Sequence, residues 1–196
     1  VLHIPTDSGL QIGEVGGDIV IKLNGGDVAI ENAHGDLVLR GLSAAKVGTV
    51  HGDVSMRHMT GAAHFEIVHG DLSAAHVQQT VVDEARGDIS IKYVSGSVTV
   101  DNVLGDIDLR AIDGPVTVMT GQRDANLSAV NGIVNLPEIR GDIRLKGGLT
   151  TGNHVLNAQR DIIVRWPADT PVNLIAVAPS VVNRATFDEF EQKGES

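Results

Sequence analysis

The sequence predicts an all-β, single-domain parallel β-solenoid built from nine-residue units, with about 18 residues per coil and a right-handed winding. Three observations predict it: an Asp that recurs at a fixed interval, a two-residue alternation of apolar side chains within each interval, and a composition suited to short strands joined by tight bends. The 196 residues include 23 glycines, are 42% hydrophobic and only 3% aromatic, and contain no cysteine. Asp residues that follow Gly or Arg fall at Asp18, Asp36, Asp53, Asp71, Asp88, Asp106, Asp124, Asp142 and Asp161, separated by 18, 17, 18, 17, 18, 18, 18 and 19 residues. Related segments lie midway between them, so the elementary unit has nine residues and two units close one coil. About nine coils stacked at ~4.8 Å give a rod of roughly 43 Å.

In chain order, Ser8-Gly9-Leu10-Gln11-Ile12 opens the register. Positions 3 and 5 of each unit are then apolar, as in Ile19 and Ile21, Val28 and Ile30, Leu37 and Leu39, and Ile107 and Leu109. Strict alternation of this kind marks a strand with one face inward. Position 8 is often apolar as well (Met59, Val68, Val94, Val103, Ile112, Val130, Ile139), so each unit supplies a strand, a bend and one further inward residue. The column Ile19, Leu37, Val54, Leu72, Ile89, Ile107 and Ile143 is expected in the core. Small inward residues, Ala63, Ala74 and Ala125, imply a narrow one. Glycine at position 1 suits a positive φ or a tight bend. From Gly87 seven units run without a gap, through GDISIKYVS to GDIRLKGGL. Residues 1–166 are thus read as the solenoid and residues 167–196 as a C-terminal capping strand and tail. There Pro167, Pro171 and Pro179 break the pattern, Val172, Leu174 and Ala176 alternate as a last strand, and Thr186 with Glu189 suits the start of a short helix carrying Phe187 and Phe190.

Stacking the sequence at 18 residues places position 6 of alternate units in one column: Lys22, Arg40, Arg57, Ala75, Lys92, Arg110, Ser128, Lys146, Arg165. Seven of these nine are basic in a chain of net charge −10, which suggests a ladder for a polyanion such as an acidic glycan. A solvated face that discourages lateral association is the plainer account. The matching column of the other units, Glu31, Gly48, Glu66, Asp83, Asp101, Met119 and Pro137, holds four acids and no base. The recurrent Asp residues share one edge, where each is expected to accept a hydrogen bond from a backbone N–H of its own turn, two residues on. Calcium between coils is the alternative, but one Asp per coil supplies few of the six to eight oxygens that calcium takes. His34, His51 and His69 sit beside Asp36, Asp53 and Asp71, so these six residues are the candidate set for a divalent transition metal. No cofactor is expected.

Arg86-Gly87-Asp88 and Arg140-Gly141-Asp142 spell the integrin-type tripeptide, each where the repeat places Gly-Asp anyway. Ser43-Ala44-Ala45-Lys46 fits S-x-x-K but lies in a strand unit without a K-T-G partner. An excess of acids over bases argues against nucleic acid as a partner, and no apolar run reaches the roughly 18 residues of a membrane span. The chain opens on Val1 rather than Met, which leaves room for a leader or anchor ahead of it.

Units such as Gly87-Asp88-Ile89-Ser90-Ile91, Gly105-Asp106-Ile107-Asp108-Leu109 and Gly141-Asp142-Ile143-Arg144-Leu145 resemble the bacterial adhesin-type family of Gly-Asp β-strand repeats, over about residues 8 to 166. The resemblance, to a family of uncharacterised activity, implies placement at the cell envelope, outside the cytoplasm, with a cytoplasmic location left open; together with the even repeat it leads to the expectation of a non-enzymatic scaffold or adhesion-type module with a surface glycan or an envelope protein as partner. It supplies no catalytic residues to carry over.

Overall fold

The computed structural model describes residues 9–22, 25–147, 149–165 and 173–183. Among them are twenty strands in two ten-stranded parallel sheets, the chain passing from one sheet to the other at every step. The first sheet contains β1 (Leu10–Val15), β3 (Asp27–Ala33), β5 (Ala44–Val50), β7 (Ala62–Val68), β9 (Gln79–Ala85), β11 (Val98–Val103), β13 (Val116–Gly121), β15 (Val134–Ile139), β17 (Asn153–Ala158) and β19 (Asn173–Val177). The second contains β2 (Ile19–Lys22), β4 (Leu37–Arg40), β6 (Val54–Arg57), β8 (Leu72–Val77), β10 (Ile89–Val94), β12 (Ile107–Ile112), β14 (Ala125–Val130), β16 (Ile143–Lys146), β18 (Asp161–Arg165) and β20 (Ser180–Asn183). Every strand pairs with its equivalent one coil away. Ile89 stands opposite Ile107, and Ile107 opposite Ala125. This is the solenoid that the 18-residue period predicts.

Burial follows the unit. In β12 Ile107, Leu109 and Ile112 are buried while Asp108, Arg110 and Ala111 face outward, and β11 and β13 repeat the pattern. Two outward residues in succession, at positions 6 and 7, mark the corner at which the chain turns back toward the interior. The expected inward column is buried throughout, from Ile19 to Ile143, and Ala63, Ala74 and Ala125 share that interior with Phe65. Burying a Leu or Ile side chain stabilises by about 1.5–3 kcal/mol, so the coil-to-coil stack of apolar columns is the main source of cohesion.

Among the described residues two polar side chains enter the core. Near the C-terminal end, Pro137 lies where the β15–β17 register shifts. In that coil His154 takes an inward position, its Nδ1 accepting the Val134 N–H (3.1 Å) and its Nε2 donating to the Thr150 carbonyl (2.9 Å). Thr80 is buried with its hydroxyl unpartnered.

The alternation at Leu174 and Ala176 does form a strand, β19, and β20 follows it. Both sheets therefore continue past Trp166 to Asn183. The proposed short helix around Thr186 and Glu189 lies outside the described residues.

Candidate functional site

Parallel in-register pairing turns a periodic residue into a physical column, and the basic column is such a case. Lys22 pairs with Arg40, Arg40 with Arg57, Arg57 with Ala75 and Ala75 with Lys92. The column goes on from Lys92 to Arg110, Ser128, Lys146 and Arg165. All seven basic side chains point outward from the second sheet, Lys92 half-buried and the others exposed. Arg110 is engaged by Asp108, to which its Nε and Nη2 both donate at 2.8 Å. Among the described residues the other six form no ion pair. On the first sheet Glu31, Glu66 and Asp101 are exposed, and Asp83 accepts from His64 Nε2 at 3.0 Å. The two broad faces thus carry opposite charge.

Beside the basic column runs a second one, at position 7, that the sequence reading did not single out. Gly41, His58, His76, Tyr93, Ala111, Ala129 and Gly147 all have a left-handed backbone, with φ between 52° and 70°. From Gly41 to Ala129 each bridges the outward position 6 and the inward position 8, and the reversed twist is what turns the corner. Only glycine adopts this conformation without steric penalty. The rings of His58 and His76 stack with centroids 5.2 Å apart, and His76 and Tyr93 with centroids 4.8 Å apart. Tyr93 is 57% exposed. The intervals of 18 and 17 residues between these three rings were the available signal.

At the opposite edge the Asp ladder differs from expectation. From Asp18 to Asp142 each carboxylate accepts from the next coil, not from its own turn. Asp18 Oδ1 receives the Asp36 N–H (3.0 Å), Asp36 that of Asp53 (2.9 Å), and Asp53, Asp71 and Asp88 those of Asp71, Asp88 and Asp106 (each 2.8 Å). Asp106, Asp124 and Asp142 continue the series at 3.1, 2.9 and 3.2 Å. The reason is geometric: at the bend the carboxylate extends along the rod axis, where the next Asp N–H is the nearest free donor. This also revises the role of glycine. The position-1 glycines from Gly35 to Gly141 on this edge do not have positive φ. They are needed because a Cβ at Gly35, Gly52, Gly70, Gly87, Gly105 or Gly141 would overlap the Asp carboxylate and backbone of the preceding coil. The Gly-Asp pair is therefore one inter-coil joint: the Asp of one coil reaches over the bare glycine of the next.

Like charges one coil apart repel, and the donated N–H groups offset this. Burial pushes the Asp124 carboxyl up, but the Asp142 N–H and the Arg144 guanidinium, with Arg160 further away, hold it below the usual carboxylate range. Arg144 bridges Asp124 (2.9 Å) and Asp142.

The candidate metal set is placed differently from what coordination requires. His34, His51 and His69 stack face to face, with centroids 5.0 and 4.6 Å apart and planes 3° and 23° apart. Ring-nitrogen lone pairs lie in the ring plane, so parallel rings direct them side by side rather than at one point. Asp36, Asp53 and Asp71 each commit Oδ1 to the neighbouring coil. Among the described residues no three His, Asp or Glu side chains converge on a common centre. Instead, the His column ends on charged side chains: His34 Nε2 meets Glu14 at 2.9 Å, and Arg86 Nη1 donates to His69 Nδ1 at 3.2 Å. Partial burial, Arg86 and His51 all push the His69 pKa below its ordinary value, against Glu84.

The sequence model of the Toastrack DUF4097 family matches residues 1–147. The chain belongs to that family. No curated protein and no solved structure gives a significant match. The Toastrack match covers the coils from β1 to β16, including the His column, most of the basic column and the Asp joints up to Asp142.

Proposed function

We propose that this Toastrack chain is a non-enzymatic, rod-shaped scaffold and binding module of the bacterial cell envelope, with its basic column lying along an extended polyanion of the acidic-glycan kind. The observation that carries this reading is the in-register column from Lys22 to Arg165, six of whose seven cations have no ion-pair partner among the described residues. A row of like charges on one side of a rigid rod lowers stability unless something of opposite charge covers it, and a linear anion matches its shape. The even coils favour a surface over a cleft. The envelope placement rests on the Gly-Asp units described above.

The test is titration with polygalacturonate, with neutral dextran as control. Binding should weaken steeply as salt rises, because the Debye length falls to about 10 Å at 0.1 M. The triple variant R40Q/R57Q/K92Q should weaken it by about tenfold or more while leaving the melting temperature nearly unchanged. Equal binding of dextran, or an undiminished affinity in the triple variant, overturns the reading.

A further inference from the structure

We propose that a cavity on the Asp edge, formed by Arg123, Arg140 and Arg160, is a binding site for a phosphate group. It lies at the opposite edge of the second sheet from the basic column and does not rest on that column's function. The cavity has a volume of about 320 Å³, and Gln122 and Gly141 also line it.

The ladder breaks its own rule at two places. From Asp36 to Asp161 a ladder Asp is preceded by glycine in every case but two, because the carboxylate of the previous coil occupies the space of a Cβ. The exceptions are Arg123 and Arg160. Their inter-coil bonds, to the N–H groups of Asp124 and Asp161, are the longest of the ladder at 3.1 and 3.2 Å, against 2.8–3.0 Å elsewhere. Both departures place the same residue type, both lie on one cavity, and they flank Gly141, which keeps the rule and leaves the floor between them without a side chain. A local rule broken twice at one place is the signature of a site selected for something other than folding.

Arg140 precedes Gly141 and brings a third guanidinium to the same space, with Gln122 one coil below it. Asp106 and Asp124 also line the cavity, outnumbered by its three arginines, and each already has a carboxylate oxygen engaged. Asp106 Oδ1 accepts the Asp124 N–H, and Asp124 accepts from both Asp142 N–H and Arg144 Nη1. None of Arg123, Arg140 and Arg160 forms an ion pair among the described residues. Three unpaired guanidiniums around a bare glycine floor, in a chain of net charge −10, suit a compact dianion. The planar fork of arginine donates two parallel hydrogen bonds to phosphate oxygens, and three such forks line this one cavity, whereas the basic column spreads its four arginines and three lysines along the rod.

The experiment is calorimetric titration of the full chain at low ionic strength. One arm uses inorganic phosphate and a second uses glycerol 3-phosphate, which separates a free ion from a phosphate carried as a monoester. Saturable binding at one site per chain is expected in at least one arm. R140Q should weaken it by about tenfold or more, since a bidentate charge-assisted contact is removed. R123G/R160G, which restores the rule, should abolish binding while the melting temperature holds or rises. R40Q/R57Q should leave it unchanged. Absence of saturable binding in both arms, binding that survives R123G/R160G, a lower melting temperature in that variant, or loss of binding in R40Q/R57Q would each overturn the proposal.

Discussion

Ala111 and Ala129 sit at φ values of 53° and 52°, in a column whose ends, Gly41 and Gly147, are glycine. Two effects compete when such an alanine becomes glycine. Relief of left-handed strain is worth about 1–2 kcal/mol, and the added freedom of the unfolded chain costs about 0.4–1 kcal/mol. Strain is the larger, so Ala111→Gly should raise stability by about 0.5–1 kcal/mol in urea denaturation. Ala44→Gly, in an ordinary strand conformation, should lower it. Equal effects at the two sites would show that the corner stores no strain. His58, His76 and Tyr93 occupy the same strained backbone, and their ring stacking offsets part of its cost.

At the scale of a strand and its joint, Asp88 tests the inter-coil bond. Asp88→Ala leaves the Asp106 N–H without its acceptor and should cost about 1–2 kcal/mol, whereas Asp88→Asn keeps a carbonyl oxygen in place and should lose less than half as much. Identical losses in the two variants would mean that charge, rather than the acceptor, holds the joint. The strands themselves were legible because a period of 18 fixes register: Ile107 has to face Ile89 and Ala125 once coils stack. The partner of each Asp was not. Sequence names an acceptor but not the direction of its side chain, and the turn's own N–H and the next coil's N–H are equivalent choices until the bend is built. The left-handed corner was hidden for a related reason, since His58, Tyr93 and Ala111 carry none of the glycine signal that marks such a backbone. Arg123 and Arg160 were visible as departures from Gly-Asp, but their meaning depended on knowing that a carboxylate fills the space above the glycine. Period alone puts the His and Asp residues of the metal set side by side, and only ring orientation shows that the imidazoles stack instead of converging.

On the scale of the whole rod, each coil contacts its neighbours through the same apolar columns and the same Asp joint, so coils are interchangeable parts. Removing the 18 residues from Gly87 to Leu104 joins Arg86 to Gly105 and presents the Asp106 N–H to Asp71. The shortened chain should fold cooperatively, with a denaturant m-value lower by roughly a tenth, in proportion to the surface lost. Failure to fold would mean that the middle coils carry pairings specific to their own sequence. The stacking distance has another consequence. Strands set about 4.8 Å apart make the basic column a ruler whose graduations the protein cannot adjust. Ala75 and Ser128 divide it into Lys22-Arg40-Arg57, Lys92-Arg110 and Lys146-Arg165, groups separated by single blank steps. A stiff chain whose charges recur at some other pitch drifts out of phase within a few graduations, while a pliable one can re-phase at each blank, so partners of equal charge density are sorted by commensurability and bending stiffness.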